Sequence, residues 1–298
     1  MTNSSTQTAA ADVAGDVAFV TGAASGIGLA LTKELVRLGQ VARVILVDLN
    51  GTGASKVADE LNGTAGETVA IAVKTDITSW DQQVAAYELG QKTFGRVDYF
   101  IANAGIGEIP WIPKFDPSTA KSRPITEPNT YVTEVNLMAQ LHTAALAFQV
   151  FERQEFNRHG FRGKLVFTSS LYGIFPSMCQ PIYSAAKGGL VDFMRASAEF
   201  YADKALTISV ICPSLVSTGI QPPVLFQEFY DLNMLTPVEA IVHQYISLLG
   251  ASKNNGKVIC IYQNKAWEQP LEPRNSEDVS LLLSMLERKW GQMYGYWE

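Results

Sequence analysis

Cysteine and histidine are scarce in this chain, with three of each among 298 residues. Cys179, Cys212 and Cys260 form no spaced framework, which excludes a disulfide-stapled scaffold and points to a reducing compartment. A cytoplasmic location is therefore expected. Cys212 and Cys260 stand in apolar runs, where a thiol is an ordinary core side chain. Cys179 has no basic neighbour to activate it and is read as packing. His142, His159 and His243 are too dispersed for a metal centre, so none is expected. Long apolar runs are missing too. No stretch reaches the roughly 18–20 residues of a membrane-crossing helix. Charged residues make up only 17%, the net charge is −6, and no basic run relieves it, which argues against a nucleic-acid partner. Residues Met1–Val13 lack both a basic start and an apolar core, and read as a flexible tail (residues 1–14) rather than a signal peptide.

What remains is a chain that is 47% hydrophobic and long enough to bury one α/β core. Strand and helix signals alternate along it, as a parallel sheet covered on both faces requires. Ser79-Trp80-Asp81-Gln82 and Thr236-Pro237-Val238-Glu239 announce helices, the second with proline at its first position. Later strands are expected at Lys164–Phe167, Thr207–Ile211 and Lys257–Ile261.

The apolar run Asp16–Val20 leads into Thr21-Gly22-Ala23-Ala24-Ser25-Gly26-Ile27-Gly28 and then an amphipathic helix carrying Leu31, Leu35 and Leu38. Strand, glycine turn and helix open a dinucleotide-binding unit, in which backbone N–H groups meet a pyrophosphate at the positive helix end. The next apolar run, Arg43–Val47, ends in Asp48, twenty residues after Gly28. A carboxylate there accepts hydrogen bonds from ribose hydroxyls and repels a 2′-phosphate. Neither the turn nor Leu49 and Asn50 supplies a base for that phosphate, so the expected cofactor is NAD rather than NADP.

Tyr183 and Lys187 stand four residues apart, with Ser170 thirteen residues before the tyrosine. On a helix such a pair shares one face, and a neighbouring ammonium pulls a phenol's pKa towards neutrality. By itself this spacing more often marks a solvated helix pair. With the other motifs it resembles the short-chain dehydrogenase/reductase family, from about Asp16 to Tyr262. Thr21–Gly28 is similar to the family's glycine turn, Asp76-Ile77 to its adenine contact and Asn103-Ala104-Gly105 to its NAG motif. Asn136 in Val135-Asn136-Leu137 and the run Thr168-Ser169-Ser170 resemble its asparagine and serine motifs. Within the family, Ser169–Gly173 and Gln180–Tyr183 look like the branch that holds NAD-dependent 15-hydroxyprostaglandin dehydrogenase.

The resemblance implies a single-domain Rossmann fold, a doubly wound parallel α/β sheet of about seven strands over residues 15–262. It implies catalysis by Asn136, Ser170, Tyr183 and Lys187. It also implies cofactor contacts from Gly22, Ser25, Gly26, Ile27, Gly28, Asp48, Leu49, Asp76, Ile77, Asn103, Tyr183, Lys187, Val216 and Thr218. Asn136 would hold a water that links Lys187 to solvent. The substrate would meet Ser170, Tyr183 and Gln180, although a surface amide is an equal reading of Gln180. One departure stands out: Ser214 follows Pro213 where the family has glycine, which puts the loop path in question.

Three further segments bear on the substrate. Residues 107–130 hold five prolines with Trp111 and Phe115, a long insert of the kind that is functional or disordered. Residues 214–235, the expected substrate lid, carry Phe226, Phe229 and Tyr230. Residues 263–298 form an extension with a helix expected over Ser276–Trp290 and an aromatic end, Tyr294–Trp297. The expected activity is oxidation of a secondary alcohol on a bulky, largely apolar small molecule. Ketone reduction, a redox-neutral dehydratase or isomerase, and a silent NAD-binding protein are the alternatives. The helices around Met138–Phe151 and Lys187–Tyr201 bear Leu141, Ala144, Ala145, Phe148, Gly188, Leu190, Val191 and Met194 on more than one face. A homodimer or homotetramer built on them is expected.

Overall fold

In the computed structural model, which describes residues 15–39, 43–218, 226–271 and 277–293, the first apolar run becomes strand β1 (Val17–Thr21), buried at all five positions. The elements that follow are α1 (Gly26–Gly39), β2 (Arg43–Asp48), α2 (Gly51–Ala65), β3 (Ala70–Lys74), α3 (Trp80–Phe94) and β4 (Tyr99–Ala102). After β4 the insert contains one short helix, α4 (Pro117–Ala120). Then α5 (Tyr131–Thr133) runs through a π-helical turn at Glu134–Met138 into α6 (Ala139–Arg153). The chain continues with β5 (Gly163–Thr168), α7 (Pro181–Phe200), β6 (Leu206–Pro213), α8 (Phe226–Asp231), α9 (Val238–Leu248), β7 (Val258–Tyr262) and β8 (Lys265–Glu268).

The capping chemistry works as the residue types require. Ser79 accepts the amide of Gln82 to open α3, and Gly95 closes that helix in the left-handed region at φ 84°. At α9 the proline stands one residue earlier than expected: Pro237 is the extended cap and Val238 the first helical residue.

Among the described residues the sheet has eight strands in the order β3-β2-β1-β4-β5-β6-β7-β8, against about seven expected. The additional strand β8 is antiparallel and pairs with β7 through a tight turn, a connection that only antiparallel strands allow. The other pairings are parallel. Strands buried on both faces read as continuous apolar runs, because helices cover each side. One face packs Phe19, Phe100, Phe151 and Phe167 with residues of α6 and α7. The other packs Leu31, Leu35, Leu46 and Tyr245 with residues of α1, α2 and α9. A buried amide crosses the first layer: Gln83 donates to the carbonyls of Ile77 (2.6 Å) and Ala139 (3.1 Å) and accepts from Thr143 (2.8 Å).

β1 pairs with both β2 and β4, so the strand order reverses there and opens a crevice at the carboxyl ends. The apolar face expected to drive oligomer formation is partly spent inside the chain: Ala144, Leu190, Val191 and Met194 are core residues. Ala145 stays exposed, and Leu141, Phe148 and Gly188 are half-buried.

A second compact unit begins at Gln269, the first ending at Glu268. Its described element is α10 (Glu277–Met293), which runs three residues past the expected Trp290. Ser276 and Tyr294–Trp297 lie outside the described residues, as do Pro222, Pro223, Val224 and Leu225 of the lid.

Candidate active site

The glycine turn sits between the ends of β1 and β4, and its geometry leaves no room for larger residues. A Cβ on Gly28 would come within 2.2 Å of the Gly22 carbonyl and 2.7 Å of Asn103 Nδ2. Gly26 adopts φ +53°, and a Cβ there would press on the Thr218 side chain at 3.2 Å. Thr218 therefore closes over the turn, and its own amide donates to Val216 at 2.8 Å. Such a cradle at the start of α1 fits a pyrophosphate.

Asn103 binds this end of the sheet together. Its amide donates to the Thr21 carbonyl at 2.9 Å, and its Oδ1 accepts from Thr168 at 3.0 Å. Asp48 anchors the turn from the next strand: one oxygen accepts from Ala24 N (2.9 Å), the other from Asn50 N (2.8 Å). Leu49 is exposed, as is Ser25, and Ile27 is half-buried. Asp76 accepts from Thr78 N and Oγ1 at 2.9 and 2.7 Å. Ile77 is different, because its side chain is spent in the core, which leaves backbone atoms to face a cofactor. The residues therefore fit a dinucleotide.

One basic group escaped the reading of the sequence. Lys74 pairs in register with Asp48 across β2 and β3. Its stem fills the space beside Gly51, where a Cβ would meet Lys74 Cβ at 2.6 Å. Twenty-six residues of sequence separate Asp48 and Lys74, so only strand pairing reveals them as neighbours.

The catalytic set collects past β5 and on α7. Lys187 is buried, and its Nζ donates to the Thr168 carbonyl at 2.8 Å. Burial pulls its pKa down to about 8. The ammonium lies 5.6 Å from the centre of the Tyr183 ring. Tyr183 itself keeps some solvent contact, yet desolvation pushes its phenol up to about 12, opposed by a hydrogen bond from Ser170. The expected acidification of Tyr183 by Lys187 is thus outweighed in this structure. The lysine is held on Thr168, and removal of water penalises the phenolate.

Asn136 lies fully buried in the π-helical turn, a distortion often found at functional sites. Its Oδ1 accepts from Ile106 N and its Nδ2 donates to Ile106 O, both at 2.8 Å. Asn136 thereby fixes the loop after Asn103-Ala104-Gly105. A Cβ on Gly105 would come within 3.0 Å of Asn136 Oδ1 and 3.3 Å of Lys187 Nζ. Thr168 accepts a further role through its hydroxyl, which hydrogen-bonds the buried Tyr245. The sequence carries no local signal for Tyr245, which arrives from α9.

Ser214 causes no distortion. It takes no left-handed backbone angle, and its amide donates to Ile261 at 2.8 Å, so the ladder with β7 simply continues past Pro213. Cys212 and Cys260 are buried opposite one another on β6 and β7. The Cys260 thiol and burial hold Cys212 protonated, as suits a core residue. Cys179, expected to pack, is exposed.

A cavity of about 510 Å³ opens between the insert and the start of α7, lined by Glu108, Pro110, Trp111, Ile112, Pro113, Lys114, Phe115, Cys179, Gln180 and Pro181 but by none of Asn136, Ser170, Tyr183 and Lys187. Most of its wall is the proline-rich insert. Gln180 precedes the first turn of α7, three residues before Tyr183. In the lid, Phe226 is buried, Phe229 half-buried and Tyr230 exposed.

Residues 16–228 match the family described as short chain dehydrogenase. The chain belongs to that family. Among relatives, it is 27% identical over 235 residues to short-chain dehydrogenase/reductase prx7 of Penicillium rubens, covering 78% of this chain and 79% of that one. It is 32% identical over 208 residues to the 3-hydroxyacyl-CoA dehydrogenase type-2 of Bos taurus, covering 70% and 76%. The solved 3-ketoacyl-(acyl-carrier-protein) reductase of Brucella melitensis, complexed with NADH, superposes with a TM-score of 0.69 at 23% identity, over 84% of this chain and 98% of that one. That likeness concerns the fold. The chain is a short-chain dehydrogenase/reductase-type oxidoreductase with a Rossmann nucleotide-binding sheet. Among the described residues no helix is long and apolar enough to cross a membrane, and no cluster of side chains could hold a metal ion.

Proposed function

We propose that this protein oxidises a secondary alcohol on a bulky, largely apolar small molecule to the ketone, using NAD. The observation that carries this reading is the meeting of Tyr183, Ser170 and Lys187 past β5 and on α7, the helix whose start borders the cavity walled by the insert. The nicotinamide, when bound, supplies the acceptor for the hydride that leaves the carbinol carbon. Gly22, Gly26, Gly28, Asp48, Asp76 and Thr218 would hold the dinucleotide. Tyr183 as phenolate takes the hydroxyl proton, and the Ser170 hydroxyl donates to the substrate oxygen as its charge changes. Lys187, 5.6 Å from the centre of the Tyr183 ring, passes the proton on towards solvent.

Trp111, Ile112, Phe115 and the prolines make much of the cavity wall apolar, beside Glu108, Lys114 and Gln180, and its volume falls in the range of ligand pockets. The likeness of Ser169–Gly173 and Gln180–Tyr183 to the 15-hydroxyprostaglandin dehydrogenase branch supports the oxidative direction. The insert makes the pocket this chain's own, so the molecule oxidised need not be a prostanoid. The test is a panel of hydrophobic secondary alcohols with NAD, read by NADH absorbance. If no member is oxidised while the matching ketones are reduced, the direction is reversed.

A second reading, a ketone reductase running on NADPH, is favoured by Lys74 beside Asp48. Initial rates at equal cofactor concentrations separate the two. The Asp48 reading expects faster turnover with NAD, and Asp48→Ala should weaken NAD binding and relax the preference. If the unaltered protein is faster with NADP, Lys74 dominates and the NAD assignment falls.

A further inference from the structure

Helix α7 carries both Tyr183 and Lys187, and its first turn lacks the usual local cap. Pro181 stands at the helix start without an N–H, and Gln180 before it makes no side-chain cap bond. The amides of Ile182 and Tyr183 therefore need acceptors from elsewhere. Glu108 supplies them from 75 residues away. One carboxylate oxygen accepts from Tyr183 N at 2.6 Å, and the other from Ile182 N at 3.4 Å. A carboxylate is well suited to that place, where the helix dipole presents its positive end.

Glu108 also stands where two other structures meet. It follows Asn103-Ala104-Gly105 and Ile106, the stretch that Asn136 clamps beside Lys187. It is then followed by Pro110, Trp111 and Ile112 in the cavity wall, and itself lines that cavity. No other residue of the insert is hydrogen-bonded to the backbone of α7 among the bonds of the described residues.

We propose that Glu108 is the positioning residue for Tyr183: it caps the catalytic helix from the insert and so ties the substrate wall to the base. The inference rests on Tyr183 being that base. The backbone amide that Glu108 holds belongs to Tyr183 itself, so a slackened cap displaces the phenol from Ser170. Displacements of about 1 Å in such a group can cost up to about 100-fold in rate. Gln at this position keeps an oxygen acceptor and the side-chain length; Ala removes both.

The test compares Glu108→Ala, Glu108→Gln and Tyr183→Phe in the full-length protein, on whichever alcohol of the panel is oxidised. Expected for Glu108→Ala is a kcat lower by about 10- to 100-fold, with the KM for NAD within about twofold. Glu108→Gln should recover most of that loss. A role confined to general stability would lower the folded fraction while leaving kcat per NADH-binding site unchanged, and that result overturns the proposal. Amide hydrogen exchange needs no substrate. Protection of the peptide holding Ile182 and Tyr183 should fall in Glu108→Ala and persist in Glu108→Gln, and equal protection in Ala and unaltered protein also overturns it. Should Tyr183→Phe remain active within a few fold, the base assignment fails, while exchange still reports on the cap.

Discussion

At the amino end of the sheet, Asp16 and Asp98 are enclosed and fully engaged. Asp16 accepts from Tyr99, from Arg158 Nε at 3.1 Å and lies 3.1 Å from His159 Nε2. Asp98 accepts from Val17 N (3.0 Å), Arg96 Nε (2.9 Å) and Asn157 Nδ2 (3.1 Å). Nearby Lys164 is buried, donates to the Ser252 carbonyl and lies over the Phe161 ring, with burial pulling its pKa down to about 8. At the carboxyl end, Lys187 is buried to a similar degree and has the same lowered pKa. Perturbed ionisation therefore does not distinguish the two ends. What distinguishes them is access: Tyr183 keeps solvent contact, whereas Asp16 and Asp98 spend their oxygens on partners inside the fold. A shifted pKa marks a functional group only where the geometry also leaves it something to react with.

The sharpest break of this comparison is Tyr183→Phe. It should cut turnover by about 100- to 10,000-fold while leaving thermal stability and NADH binding nearly intact, because the ring that meets Tyr172 is kept. Steady-state rates and a fluorescence titration with NADH check it; activity within a few fold of the unaltered protein removes Tyr183 as base. The mirror experiment is Asp98→Ala. Urea unfolding should show a loss of about 3 kcal/mol, since Val17 N and Asn157 lose a buried acceptor and Arg96 its partner. Turnover per folded molecule should stay the same. A large fall in kcat there would mean that the two ends are coupled.

Smallest in size but most specific is the pH response of Ser170→Ala. The Ser170 hydrogen bond lowers the Tyr183 pKa, so its removal raises the pKa further. The proton-abstracting form is then reached at higher pH, and the rising limb of kcat/KM for oxidation should move in the alkaline direction. Asp98→Ala should leave that limb in place. An acid shift in Ser170→Ala would contradict the donor role of the serine.

Local chemistry made much of this legible in advance. The continuous apolar strands, the cap at Ser79, the glycine turn and the Tyr183–Lys187 spacing all act over a few residues. Their meaning survives without knowing the fold. The same holds for Asp48, because a strand end at a set distance from the turn is a one-dimensional property.

What the chain order hides is everything joined across strands and helices. Strand register alone puts Lys74 beside Asp48, and long-range folding alone delivers the Glu108 carboxylate to the start of α7. The ionisation of Tyr183 belongs to the same class. Four-residue spacing indicates that a lysine is near, but the balance between its charge and the loss of water depends on how densely α7 packs and on Thr168 holding the ammonium. Spacing along a chain determines which groups can meet; burial and competing partners, which exist only in three dimensions, determine what the meeting does.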